Sequence, residues 1–283
     1  MFTDANPAYP PLVPLQQVWV GIVIGGWDET LVNVPWLACF VALLLLFHGA
    51  VREFGGSRLV ALAGVYALSS LPLFGVHVAL AGYADLYMAG FIFLALSALV
   101  VGERLAFPWL LCWSALFAAM LPLVKRPGIG WMLLVLAATV FAIAMRAGAG
   151  RGARWQRRAP AALTIVAAAA LLSAFVLGGD QARGVYLAVI ENVFLLDNWH
   201  LAGLASLLAV VALVRDPPPP ALAAVFAFTV VSLTGMVVAF AVTGIAGSII
   251  DATTTNRALM HLMPAALLVV VGAASRLDTP PIG

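Results

Sequence analysis

The sequence predicts an all-α fold, a polytopic membrane helical bundle of about nine transmembrane helices. Of the 283 residues, 64% are hydrophobic and 9% are charged, and the mean hydropathy is +1.09. Apolar stretches of about 20 residues, the length that crosses a bilayer as a helix, recur along the chain. This composition excludes an ordinary soluble domain. The net charge of +2 is too small to argue for a nucleic-acid partner.

Polar loops divide the chain into its predicted elements. The nine spans are residues 34–51, 58–78, 85–101, 106–124, 128–145, 160–178, 200–214, 221–244 and 257–274. Residues 12–26 and 184–199 are apolar but carry polar side chains, so we predict interfacial helices there. We expect one integral membrane domain over 1–283, in which 1–33 ends a first outer loop and 34–283 forms the transmembrane bundle.

The basic residues predict the orientation of these spans. Alternate loops divide the cations into two unequal sets of ten and four. The larger set consists of Arg52, Arg58, Arg104, Arg146, Arg151, Arg154, Arg157, Arg158, Arg215 and Arg276. Because Lys and Arg concentrate on the cytoplasmic side, we assign that side to the larger set. Lys125, Arg126, Arg183 and Arg257 then face outward.

Lys125 and Arg126 form the most unusual pair in the sequence, since cations are disfavoured on the outer face. Pro127 follows them and suits the first position of the next helix. The free N–H groups of that helix, together with the two cations, predict an anion site. The alternative is that the two long side chains only reach toward the membrane interface.

Asp85, Arg257 and His261 are the other charged or titratable candidates on the outer side. Asp85 opens the third span, where an acid can cap the helix or bind a sugar hydroxyl or a divalent metal. Arg257 opens the last span, where a cation opposes the helix dipole; a salt bridge to Asp251 or to another outer acid is the alternative explanation. His261 lies one turn further on the same face and is a candidate for lining the substrate site; the alternative is a histidine that only makes a hydrogen bond within the bundle.

Weaker signals complete the predicted site. His77 lies near Asp85 in sequence and is a candidate for lining it, as is Tyr83. Five tryptophans lie near the predicted outer boundaries, where an aromatic belt explains them without function; they are Trp19, Trp27, Trp36, Trp131 and Trp199. Sugar stacking is the alternative role.

Several short motifs resemble the GT-C class of membrane glycosyltransferases. They are Asn-Pro-Ala-Tyr-Pro-Pro-Leu-Val-Pro at 6–14, Gly-Tyr-Ala-Asp at 82–85, Lys125 near Gly128, and Asn-Arg at 256–257 shortly before Pro264. The closest groups are the dolichyl-phosphate-mannose protein mannosyltransferase-like and bacterial Rgt-like enzymes. The resemblance covers residues 7–130 and returns weakly at 251–264.

The resemblance implies transfer of a sugar from a polyprenyl-phosphate donor to an envelope glycan, lipid or protein acceptor on the outer face of the membrane. Asp85 then corresponds to an acid of the active site, and Lys125 to a basic residue near the donor phosphate, with Arg126 beside it. Arg257 corresponds to a basic residue of the last outer loop. Tyr9 corresponds to the end of the first outer loop and is a candidate for lining the substrate site.

The chain departs from the family pattern at its beginning. The family's catalytic acid lies early in the first outer loop, whereas this chain starts with the far end of that loop. We therefore expect an N-terminally truncated member that lacks the catalytic acid. The high ratio of Arg to Lys hints at a bacterial genome, and we expect a multi-pass protein of the bacterial cytoplasmic membrane.

Two other functions remain open from the sequence. A transporter or flippase for a lipid-linked or anionic solute would also use Lys125 and Arg126, and it predicts ionisable residues at bilayer mid-depth and an inverted repeat. A non-catalytic membrane subunit is the third reading. No cofactor is indicated beyond a divalent metal at Asp85, which stays an alternative.

Overall fold

The regular structure of the described residues is helical throughout. The structure, a computed structural model, describes residues 10–105, 107–148, 153–196, 198–216, 218–243 and 253–277. In chain order the α-helices are α1 (Leu12–Ile24), α2 (Val34–Glu53), α3 (Arg58–Ser69), α4 (Pro72–Ala79), α5 (Asp85–Arg104), α6 (Pro108–Val124), α7 (Gly128–Gly148), α8 (Ala153–Leu177), α9 (Gly179–Ile190), α10 (Ala202–Arg215), α11 (Pro220–Val242) and α12 (Thr253–Leu277). A 3₁₀ turn at Leu31–Asn33 precedes α2, and a π-helical segment at Glu191–Leu195 follows α9.

Six helical segments in the described residues are long and apolar enough to cross a membrane. They are Leu31–Glu53, Asp85–Arg104, Gly128–Ala147, Arg158–Leu177, Pro220–Val242 and Thr254–Arg276. The helical bundle expected from the sequence is therefore present. The expected number of about nine spans is not confirmed.

The difference in number has local causes. The predicted span 58–78 is broken into α3 and α4, which bend by 63° around Pro72; a proline cannot continue the preceding helix. Counting this pair as one span gives seven. Trp109–Val124 and Ala202–Arg215 are apolar but shorter helices. The two predicted interfacial segments are also helical, over Leu12–Ile24 and Gly179–Ile190.

Two helices form the centre of the bundle. In α5 and α12, 72% of an 18-residue apolar stretch is buried within the protein, compared with 11% of the corresponding stretch in α8. The long apolar side chains that α8 leaves exposed are suited to contact lipid. The central helices pack against each other, and α11 packs against both. Polar side chains at the beginning of α5 and α12 are consequently enclosed by neighbouring helices.

Candidate functional site

Asp85 is the first residue of α5, and a tight turn delivers it to the interior. Gly82 has a φ of 118°, a conformation that residues with a side chain rarely adopt. The indole Nε1–H of the buried Trp36 donates to the Tyr83 carbonyl at 3.0 Å and holds this turn. Asp85 is fully buried. Its carboxylate accepts from other helices, so end-capping is not its main role.

Lys125 reaches Asp85 from the turn between α6 and α7. Its backbone is extended, with φ −158° and ψ 147°, which ends α6. The next helix begins at Gly128, where a Cβ atom would lie 2.0 Å from the Leu121 carbonyl oxygen. Glycine is therefore required for the two helices to approach this closely. The close approach keeps the Lys125 side chain 11% exposed and directed into the bundle.

The expectation that free N–H groups at the start of α7 contribute to an anion site is wrong. Gly128 N–H donates to the Lys125 carbonyl at 2.8 Å, and Gly130 N–H donates to the Pro127 carbonyl at 3.0 Å. Ile129 N–H makes a longer bond to the Arg126 carbonyl. These first amides of α7 are therefore already satisfied. Any anion bound here must be held by side chains.

Arg257 and His261 come from one face of α12, four residues apart. The described helix begins at Thr253, so Arg257 lies within its second turn rather than at its opening. Asn256 accepts a hydrogen bond from Nε1 of the fully buried Trp199 at 3.2 Å. This contact sets the rotation of α12. The alternative considered for Arg257 was a salt bridge to Asp251 or to another outer acid. Asp251 lies outside the described residues, but Arg257 does form such a bridge, with Asp85 at 2.8 Å.

Three side chains converge on the Asp85 carboxylate, and we name Asp85, Lys125, Arg257 and His261 the Asp85 cluster. Oδ1 accepts from Lys125 Nζ at 2.6 Å and from His261 Nε2 at 3.0 Å. Oδ2 accepts from Arg257 Nε at 2.8 Å and lies 2.8 Å from Arg257 Nη2. Each carboxylate oxygen thus has two donors, which is the capacity of its lone pairs.

The charges of the Asp85 cluster do not balance. Two cations face one carboxylate, so the cluster carries one net positive charge when His261 is neutral. Uncompensated charge in a low-dielectric interior is costly. An anion bound beside Lys125 and Arg257 would remove this excess. Both cations retain N–H groups that Asp85 does not use, since Lys has three donors and Arg has five.

A cavity of about 560 Å³ opens beside the Asp85 cluster, within the usual range for small-ligand sites. All four cluster residues line it. The rest of its wall comes mainly from α7 and α11 and is largely apolar, with Trp131, Leu134, Ser232, Met236 and Phe240 among the lining residues. The cavity therefore has one cationic region and one hydrocarbon region.

Two smaller cavities meet the cluster from other directions. One of about 260 Å³ lies between α1, the 82–84 turn and Lys125. Another of about 240 Å³ is lined by His77, Tyr83 and Arg257. The Arg257 guanidinium lies 4.9 Å from the centre of the Tyr83 ring, which favours a cation–π contact. Arg257 thus borders all three cavities.

The remaining predicted site residues lie apart from Asp85 or outside the description. The buried His77 packs edge-on to Tyr83, and its Nδ1 lies 2.8 Å from the Leu73 carbonyl oxygen. Arg126 is exposed, as expected for adjacent residues of a turn that point apart. Tyr9 lies outside the described residues. In the part of the chain that the structure describes, no group of three His, Cys, Asp or Glu side chains could hold a metal ion.

Sequence reasoning missed one polar residue of the cavity and misjudged the surroundings of another lining residue. Ser232 is a hydroxyl in the middle of apolar α11, 1% exposed, and its Oγ has no hydrogen-bond partner in the described structure. A buried hydroxyl without a partner costs about 1–3 kcal/mol. The available signal was the short polar group Thr229, Ser232 and Thr234 within a long apolar run. Trp131 was assigned to an aromatic belt, but its buried ring meets the His261 ring edge-on at 5.5 Å.

The belt assignment is also wrong for two other tryptophans. Trp36 and Trp199 are fully buried; Trp36 holds the 82–84 turn and Trp199 donates to Asn256 of α12. Trp19 and Trp27 are exposed, at 66% and 63%. The amphipathic indole suits a membrane interface, and the sequence alone does not distinguish that environment from an internal hydrogen bond.

Comparison with known proteins identifies no relative. No family model matches the chain, and no curated protein or solved structure matches it significantly. The functional interpretation therefore rests on the site itself.

Proposed function

We propose that the protein is a membrane glycosyltransferase that moves a sugar from a polyprenyl-phosphate donor to an envelope glycan, lipid or protein acceptor. The observation that carries this proposal is the excess positive charge of the Asp85 cluster beside an apolar cavity. A phosphate next to Lys125 and Arg257 balances that charge. The hydrocarbon of the same ligand suits the wall formed by Leu134, Met236 and Phe240.

The leaving group explains why two cations are useful in such a reaction. When the glycosidic bond to phosphate breaks, negative charge develops on the departing phosphate. Fixed cations in a site with little water stabilise that charge more than water does. Asp85 holds Lys125 and Arg257 in place, because its two oxygens contact both of them.

This proposal assigns Asp85 a positioning role instead of the catalytic role expected from the sequence. Its four acceptor positions are filled by protein donors, which leaves none for an acceptor hydroxyl or a metal. The transporter alternative has less support, since Asp85 and Lys125 lie at helix ends. We also propose that the Asp85 end of the bundle faces outward from a bacterial cytoplasmic membrane.

The test is sugar transfer in membranes that contain the overproduced protein. A panel of radiolabelled polyprenyl-phosphate sugars serves as donor, and release of free polyprenyl phosphate is followed together with labelled product. Lys125→Ala should lower turnover by roughly a hundredfold, the scale of one lost charge-stabilising group.

Arg104→Ala is the matched control. Arg104 is a half-exposed cation paired with Glu53 at the other end of α5, and its removal should leave transfer near the wild-type rate. If Lys125→Ala at equal expression transfers sugar as fast as the wild type, Lys125 has no role in the reaction. If no donor of the panel is consumed by the wild-type protein, the proposed activity is wrong.

A further inference from the structure

One ring nitrogen of His261, a residue that lines the large cavity, has no hydrogen-bond partner among the described residues. Nε2 lies 3.0 Å from Asp85 Oδ1. Nδ1 is buried and makes no hydrogen bond among the described residues. Ser232 Oγ, which lines the same cavity, is in the same condition. Buried polar atoms normally have partners, so this pair indicates a ligand with hydroxyl groups.

The contact with Asp85 determines which ring nitrogen of His261 carries the proton. A carboxylate held by two cations is ionised and can only accept hydrogen bonds. Nε2 must therefore bear a hydrogen. In the neutral ring Nδ1 then presents a lone pair, which is the arrangement of a general base whose second nitrogen is oriented by a carboxylate. A hydroxyl group is the donor that suits such a nitrogen.

Resting on the glycosyl transfer proposed above, we propose that His261 is the general base that deprotonates the acceptor hydroxyl. The acceptor oxygen forms a bond to the anomeric carbon while the bond from that carbon to the phosphate oxygen breaks. The acceptor proton passes to His261 Nδ1. The electron pair of the broken bond leaves with the phosphate, beside Lys125 and Arg257. Asp85 is the positioning residue that orients the imidazole.

Charge balance supports this assignment. A polyprenyl-phosphate sugar is a phosphodiester with a single negative charge, which neutralises the single net positive charge of the Asp85 cluster. After transfer the lipid phosphate carries two negative charges. The proton on His261 gives the cluster two net positive charges at the same moment. The site is therefore neutral before and after the reaction, which matters where water is scarce.

The charged groups that face His261 come from three elements. They are Asp85 at the start of α5, Lys125 at the end of α6 and Arg257 on α12. From α7 and α11 the cavity wall near it contributes Trp131 and Ser232, neither of which titrates near neutral pH. Binding of a doubly charged phosphate beside these cations should therefore be accompanied by proton uptake at the imidazole.

Proton uptake can be measured without knowing the sugar or the acceptor. The probe is geranyl phosphate, a short isoprenoid phosphate, and geraniol is its uncharged counterpart. Isothermal titration calorimetry of the purified full chain in detergent, at pH 7.5 and in two buffers of different ionisation enthalpy, gives the protons bound per ligand. We expect roughly 0.5 proton or more for the wild type, because the second negative charge of the bound phosphate favours the protonated imidazole.

His261→Gln should bind geranyl phosphate but take up almost no proton. His48→Gln, which changes a histidine in α2 away from the Asp85 cluster, should behave like the wild type. Equal uptake by wild type and His261→Gln overturns the assignment of His261 while leaving the phosphate site standing. Failure of the wild type to bind geranyl phosphate overturns the proposed function as well. If His261→Gln does not fold, zero uptake by the wild type is itself sufficient to overturn the assignment.

Discussion

At the residue scale, the defining feature is the Asp85 carboxylate, a single negative charge that two cations and one histidine contact. Asp85 accepts from three basic side chains that belong to two other parts of the chain. Its removal leaves Lys125 and Arg257 without a counter-charge. A buried ion pair that loses one partner is penalised far more than an exposed pair, because the remaining charge cannot regain its water.

We therefore expect Asp85→Asn to lower the free energy of unfolding by about 3 kcal/mol, the lower end of the range for a broken buried pair. The lower end applies because the Arg257 side chain is 34% exposed. Thermal unfolding in detergent measures the change. Glu53→Gln is the control, since its pair with Arg104 is much more exposed and should contribute at most about 1 kcal/mol. Equal stability of the two variants would show that the cluster is not buried.

At the scale of the elements, the turn between α6 and α7 determines where Lys125 points. Gly128 allows the start of α7 to rest against the Leu121 carbonyl near the end of α6. Pro122 lies inside α6 next to this contact. Because the obstructing atoms belong to the backbone, they cannot rotate away as a side chain would.

Gly128→Ala should destabilise the protein by about 3 kcal/mol, the upper end for an overpacked site, and should weaken geranyl phosphate binding by displacing Lys125. Gly235→Ala in α11 is the matched control, because no atom lies within 4 Å of its added Cβ. That change should be neutral or stabilising by up to about 1 kcal/mol. Thermal unfolding and calorimetry report the two effects, and unchanged binding by Gly128→Ala would separate the turn from the site.

At the scale of the whole molecule, the two groups of ion pairs that involve α5 lie at opposite ends of the bundle. The Asp85 cluster lies at one end of α5, and the Glu53–Arg104 pair lies at the other. A 20-residue helix such as α5 is about 30 Å long, which matches the hydrocarbon thickness of a bilayer. The two ends should therefore face opposite compartments.

We expect Arg126→Cys to be labelled by an impermeant thiol reagent from outside the cell, and Arg104→Cys only after the cytoplasmic side is made accessible. Cys39 and Cys112, which are free, are first replaced by alanine. The reason is the unequal distribution of cations between the loops. Labelling of position 126 only from the cytoplasmic side would reverse the orientation and remove the proposed outward-facing active site.

The sequence by itself determined the helical class, the position of most helices and the identity of the charged outliers. Apolar run length, helix-breaking residues and charge placement are local properties, so they can be recognised without a fold. The shared face of Arg257 and His261 also follows from local helical spacing. The number of spans was less well predicted, because Pro72 bends one apolar run and α6 and α10 are shorter than a full span.

Only the tertiary structure decided which of these residues meet. Asp85 contacts Lys125 across 40 positions and Arg257 across 172, and such contacts depend on how helices pack and rotate. The same packing enclosed Ser232 and buried Trp36 and Trp199. Hydrophobic run length fixes where a helix lies along the chain, but only packing fixes which of its faces turns inward, and that orientation created the site.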